Sequence, residues 1–182
     1  MRKAVRRGTV LVRLRTLAMS LAALGYAVPV LAELNVPIAA RVISFRQPAL
    51  GGPIMTAILY EPGNGASEAE AALIERTIGS GLVVGRSVIR TRRVPIATMG
   101  TLSGYRVAFV TAGLRDDQAS IAAAADRSSV LTITSDSACV NAGRCVVGIT
   151  QGAKVQITVN RAAARAANIR FGSAFLMLIK EI

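Results

Sequence analysis

Apolar positions along this chain recur at two spacings, and the changes between them mark its elements. In residues 33–48, Ile38, Val42 and Phe45 fall on an i, i+4, i+7 stripe with Pro37 suited to a first turn, which predicts a short amphipathic helix. Pro48 and the Gly51-Gly52-Pro53 cluster end it. Residues 54–60 form an apolar run of strand length, and residues 61–66 read as a turn. Ser67 and Glu70 then stand at capping-box spacing before Ala71, Leu73, Ile74 and Ile78, a helix closed by Gly79 and Gly81. Residues 87–94 are β-branched with arginine at alternate positions. Residues 105–111 and 128–134 read as buried strands, with an alanine-rich helix at 119–125 between them that Asp116 and Asp117 introduce.

The last third changes character. Residues 144–150 and 155–159 are two strands joined through Gly152 as a hairpin, and Asn160 caps a short helix at 161–167. Residues 169–171 are a short extended link. Ser173 opens a terminal apolar helix that includes residues 175–179 and either buries in its own core or packs on a second copy. Strand and helix alternate, so the expected fold is a single α/β domain. Its mostly parallel sheet has four to six strands, a C-terminal hairpin, and helices on both faces. The expected core includes Ile58, Leu59, Val107, Phe109, Leu131, Ile133, Val147, Ile157, Leu176 and Ile179.

Charge changes the picture mainly at the start. The net charge is +12, but residues 1–32 hold six basic residues and no acid, followed within them by an apolar run at 17–28. A basic block, an apolar stretch of about 12 residues and a small residue at the cut predict a secretory signal peptide removed near Ala32. A basic amphipathic membrane anchor is the lesser alternative. The remaining 150 residues carry a charge of +6, spread along the chain, which removes most compositional support for nucleic-acid binding. An aromatic content of 4% argues the same way. With no histidine and two cysteines, histidine-based zinc sites, Ser-His-Asp triads and Cys-His nucleophiles are excluded.

Few residues are left to carry chemistry. Cys139 and Cys145 flank five residues that include a glycine, a separation that can close a disulfide. A structural staple is the first reading, with a redox-responsive bond and free thiols as alternatives. Gly63, Asn64, Gly65 and Ser67 lie between a strand and a helix, where an anion could sit, although a plain turn explains them as well. Arg86, Arg90 and Arg92 are expected on one face of a strand with Arg93 opposite, either as a solvated edge or as a patch for an acidic partner. Glu68, Glu70 and Glu75 read as solvated or capping acids, and so do Asp116 and Asp117. Asp136, near a strand end, is the better of two isolated candidates for acid–base work, the other being Asp126. No catalytic, cofactor-binding or metal-binding set emerges.

The order of elements in the second half resembles the YfiR-type family of exported bacterial proteins. The resemblance rests on Val130-Leu-Thr-Ile-Thr-Ser-Asp136, the glycine-containing loop and hairpin, Gln156-Ile-Thr-Val-Asn160 with Arg161-Ala-Ala-Ala, and the tail from Ala167 to Leu178. Tyr105-Arg-Val-Ala-Phe-Val and the strand and helix over residues 54–72 extend it. The opening differs, with Ile38-Ala-Ala-Arg-Val-Ile-Ser-Phe45 in place of the family's usual motif. The resemblance implies a disulfide at Cys139 and Cys145 and a small periplasmic regulator rather than an enzyme. Better-known members bind the periplasmic sensor part of an inner-membrane diguanylate cyclase and hold it inactive, which lowers cyclic di-GMP and biofilm formation. A related sensor kinase as partner, and a homodimer, are further expectations. A periplasmic protein that binds a small anion is the rival reading.

Overall fold

The computed structural model describes residues 33–100 and 102–182. The expected signal peptide lies outside the described residues. The chain runs α1 (Val36–Ser44), β1 (Arg46–Gln47), β2 (Gly52–Tyr60), α2 (Gly65–Ile78), β3 (Leu82–Val84), β4 (Ser87–Pro95), β5 (Val107–Val110), α3 (Gln118–Ser128) and β6 (Leu131–Thr134). It continues through α4 (Ser137–Asn141), β7 (Val147–Thr150), β8 (Gln156–Val159), α5 (Arg161–Ala166), β9 (Arg170–Phe171), α6 (Ser173–Leu176) and β10 (Lys180–Glu181). Eight strands form one sheet in the order β10-β8-β7-β6-β5-β2-β4-β3, and β1 pairs with β9 in a separate small ribbon.

The five inner strands from β4 to β7 are parallel, and β7 and β8 form the expected antiparallel hairpin. The six strands expected from the apolar runs are all present. The other two strands of this sheet, β3 and β10, are three and two residues long, too short to show a period. Register carries one buried row across the sheet: Ile58, Phe109, Ile133, Val147 and Val159 are successive partners. All five are buried, in the core that α1, α2 and α5 cover. Successive side chains point to opposite faces, so Ala57, Leu59, Ala108 and Val110 face a second core under α3 and α4. Helices thus cover both faces.

Several local expectations need correction. In α1 the buried residues are Val36, Ala39, Ala40, Val42 and Ile43, while Phe45 falls at the helix end and is 42% exposed. Ser67 is not the cap of α2. Asn64, one turn earlier, accepts the Ser67 N–H through Oδ1 at 3.3 Å and starts the helix. The terminal apolar helix shrinks to the single turn α6, and the chain then extends so that β10 pairs with β8. The pairing gives the hairpin's outer strand a partner for its backbone, and it turns Met177 and Leu178 outward, each 81% exposed. Of the ten residues expected in the core, the seven from Ile58 to Val147 are buried, and Ile157, Leu176 and Ile179 are partly so.

Cys139 and Cys145 form a disulfide with Cα atoms 5.3 Å apart, and both residues are fully buried. The same short loop is closed by hydrogen bonds from the Arg144 and Cys145 N–H groups to the Cys139 carbonyl. A loop this small restrains few residues of the unfolded chain. Replacing both cysteines with alanine should therefore cost about 2 kcal/mol, read as a lower urea midpoint with unchanged slope.

Candidate functional site

The order of strands directs attention to one place. From β2 the chain crosses through α2 to β4 on one side, then returns to β5 on the other side of β2. The carboxyl ends of β2 and β5 therefore form the crevice where open α/β sheets most often hold ligands. The loop containing Gly63, Asn64 and Gly65 leaves β2 here and meets residues 111–113 leaving β5.

In this protein the crevice is closed by the chain itself. Ser67 Oγ and Thr111 Oγ1 are 2.6 Å apart, and Ser67 Oγ also accepts the Glu61 N–H at 2.9 Å. Asn64 Nδ2 donates to Glu61 Oε2 at 2.9 Å and to the Gly113 carbonyl at 3.3 Å. The Gly63 N–H donates to Glu68 Oε1 at 3.1 Å. An anion at this loop would find the Gly63, Asn64 and Ser67 donors engaged and two carboxylates already there. The loop expected as an anion site is thus a junction tied by its own side chains, and the charge of Glu61 and Glu68 works against an anion. Gly113 has φ +84°, and a Cβ there would lie 2.8 Å from Asn64 Nδ2. Gly113→Ala should therefore destabilise by more than about 1 kcal/mol, measured by thermal unfolding.

Behind this junction sits Glu70, which sequence reasoning placed among solvated or capping acids. It is 5% exposed, and its carboxylate joins three connecting segments of the chain. Oε1 accepts the Leu34 N–H at 2.9 Å and the Ser135 hydroxyl at 2.8 Å, and Oε2 accepts the Ala112 N–H at 2.6 Å. Burial raises its pKa above the ordinary glutamate value, the three hydrogen bonds oppose that, and the Glu33 charge adds a smaller upward push. The signal that marks Glu70 was present in the chain, since Ala71 and Ile74 place it beside the buried face of α2. The capping-box spacing hid it.

Asp136 serves structure too. Its Oδ1 caps α4 by accepting the Ala138 N–H at 2.8 Å, and its Oδ2 accepts Gln118 Nε2 at 2.8 Å. Among the described residues no three His, Cys, Asp or Glu side chains come together as metal ligands. Of the expected basic patch, Arg90 and Arg92 are exposed on one face of β4, while Arg86 lies in the turn before the strand. β4 is not the outermost strand, but β3 pairs only with Ser87, Val88 and Ile89, which leaves the outer edge beyond Ile89 unpaired in the sheet. Arg93, on the other face, pairs with Glu75 at 2.7 Å and lies over the Tyr60 ring.

A different surface lies at the opposite end of the sheet. Val159, Ala164, Ile169, Phe171 and Leu176 line an open groove of about 330 Å³. Arg161, Arg165, Arg170 and Glu181 also line it. Arg161 is paired with Glu181 at 3.4 Å, whereas Arg165 and Arg170 have no ion pair among the described residues. Phe175 stacks on half-exposed Phe45 with centroids 4.8 Å apart and lies 5.2 Å from Phe171. Met177 and Leu178 follow directly after Leu176. Glu61, Glu68, Asp116, Asp117 and Asp136 sit at or just beyond the carboxyl ends of the parallel strands, while Arg86, Arg106 and Arg144 sit at the amino ends.

An α/β domain with a sealed crevice and an open apolar groove rimmed by arginine has the makings of a binding module. Its sequence agrees: the family model described as YfiR/HmsC-like matches residues 58–179, and the chain belongs to that family. Membership supports a periplasmic regulatory role in general terms. No curated protein matches the chain. Two of the solved structures that share its fold illustrate the likeness. One is the ABC domain from Streptococcus pneumoniae in complex with L-Trp, with a TM-score of 0.58 and 11% identity, over 78% of this chain and 58% of that one. The other is a conserved domain protein from Vibrio cholerae, with a TM-score of 0.58 and 13% identity, over 82% and 60%. The chain spans about three fifths of the length of these neighbours, and the likeness is one of fold.

Proposed function

We propose that this protein is exported, loses residues 1–32, and binds the periplasmic part of an inner-membrane signalling protein. The partner in this reading is a diguanylate cyclase, held inactive by a domain that binds its inactive state more tightly than its active one. Differential binding of this kind shifts the partner's equilibrium, lowers cyclic di-GMP and so reduces biofilm formation. Family membership supports the regulatory role. The observation that carries the surface is the pair Met177 and Leu178, each 81% exposed and directly following Leu176 of the groove lining. Large apolar side chains exposed next to an apolar groove with a charged rim are a feature of protein-binding sites. The unpaired Arg165 and Arg170 favour an acidic, partly apolar segment of the partner over a second copy of this basic chain.

The rival reading, a small-anion protein using the loop at Gly63, Asn64, Gly65 and Ser67, is weakened by the carboxylates already in that loop. The test is deletion of the gene with cyclic di-GMP measured in the cell. The proposal expects a rise that wild-type protein reverses. No change in cyclic di-GMP would overturn the cyclase assignment.

A further inference from the structure

One charged side chain has no counterpart. Arg46, on β1, is 7% exposed, and its Nε and Nη1 are buried without any hydrogen-bond partner. Only Nη2 is engaged, donating across 3.4 Å to the carbonyl of Ser129, which ends α3 in the left-handed region. Among the described residues no carboxylate pairs with Arg46. The charge that bears on it is another cation, Arg106, which is exposed just before β5 and whose carbonyl accepts the N–H of Leu131, two residues after Ser129. Burial and then the Arg106 charge both push the Arg46 guanidinium below its ordinary pKa, although an arginine stays protonated. A buried guanidinium is normally paired, and the weak partial charge at a helix end offsets little of the cost.

We propose that Arg46 and Arg106 form an oxyanion-binding site for a small carboxylate- or phosphate-bearing ligand. The donors left over suit it: Nη1 and Nη2 form a fork that two oxygens of one anion can take, and Nε adds a further N–H beside Nη2. Arg106 supplies a second cation with access to solvent. In the free protein the unpaired nitrogens are closed from water, so the ligand draws the flexible Arg46 side chain toward Arg106. What it offers is a charge-assisted partner for donors that have none, which is the differential interaction such a shift requires. The site lies at the amino end of the sheet, away from the closed junction at Gly63 and Gly113, and it does not depend on the partner proposed above.

The test is the melting temperature of the protein titrated with inorganic phosphate, and separately with succinate, against chloride at matched ionic strength. The proposal expects a saturable rise of several degrees with at least one of them, since a ligand that binds only the folded state stabilises it. Phosphate alone assigns a phosphate-bearing ligand, and succinate alone a carboxylate. Arg46→Met should abolish the rise and melt no lower than wild type without anion, because it removes a buried unpaired charge. Arg106→Gln, at an exposed position, should weaken the rise and keeps the test open if Arg46→Met fails to fold. No rise with either oxyanion overturns the site, as does an equal rise in Arg46→Met.

Discussion

Replacing Glu70 with alanine should lower the melting temperature by about 6–20 °C. The substitution strands three donors, the N–H groups of Leu34 and Ala112 and the hydroxyl of Ser135, all held by one carboxylate. Each buried donor left without a partner costs about 1–3 kcal/mol. Relief of the carboxylate's own desolvation and entry of water offset part of this, which leaves about 3–5 kcal/mol. At roughly 2–4 °C per kcal/mol for a chain of this size, the shift follows. Differential scanning calorimetry checks it. Glu70→Gln should cost less, because one oxygen still serves Leu34 and Ser135 while the new amide meets the Ala112 N–H donor to donor.

The same residue sets a pH dependence. Burial raises the folded-state pKa of Glu70 above its unfolded value. An acid shifted this way contributes stability that is fully present below the unfolded pKa and is lost as pH rises through the folded one. Wild type should therefore exceed Glu70→Gln most at acidic pH, with the gap narrowing as pH rises from the ordinary glutamate range through the raised value. A gap that widens with pH would show that the three hydrogen bonds outweigh burial.

Changing Met177 and Leu178 to glutamate should abolish partner binding and leave the fold intact. Both side chains are 81% exposed, so each change should alter stability by no more than about 0.5 kcal/mol. At the centre of an interface, truncating an apolar anchor costs about 2 kcal/mol or more, about thirtyfold in affinity. Two added negative charges beside a partner chosen for its acidity cost more. Arg165→Glu with Arg170→Glu should weaken binding mainly by slowing association, and the wild-type affinity should fall with salt. Surface plasmon resonance against the partner's periplasmic segment separates these effects. Size-exclusion chromatography shows whether the same face joins two copies.

The sheet was legible in the chain because its six main strands are runs of β-branched and apolar residues, each bounded by glycine, proline or an Asx residue. The short pairings were not. β1 with β9, and β10 with β8, are held by two residues a side, and neither periodicity nor propensity registers so little chain. The tail misled for a related reason. The apolar run at 175–179 fits a helix, but backbone pairing along β8 pulled it straight after one turn and put Met177 and Leu178 outside. The site was legible only in part. Sequence placed Gly63 to Ser67 between a strand and a helix, but only tertiary packing brought Glu70 under Leu34, Ala112 and Ser135. Arg46 showed no sign of burial in the sequence, since it follows the apolar stripe of α1 by chain position and is enclosed by elements far along the chain.

The most direct measurement of the central claim is capture of the partner from bacterial envelope membranes, with mass spectrometry of what is retained. The bait is the wild-type protein, beside the variant carrying Met177→Glu and Leu178→Glu. Wild type should retain an inner-membrane diguanylate cyclase with a periplasmic segment, and the variant, equally folded, should not. Equal retention by both would remove the groove and its apolar tail from the interface. Retention of no signalling protein by wild type would contradict the regulatory reading itself.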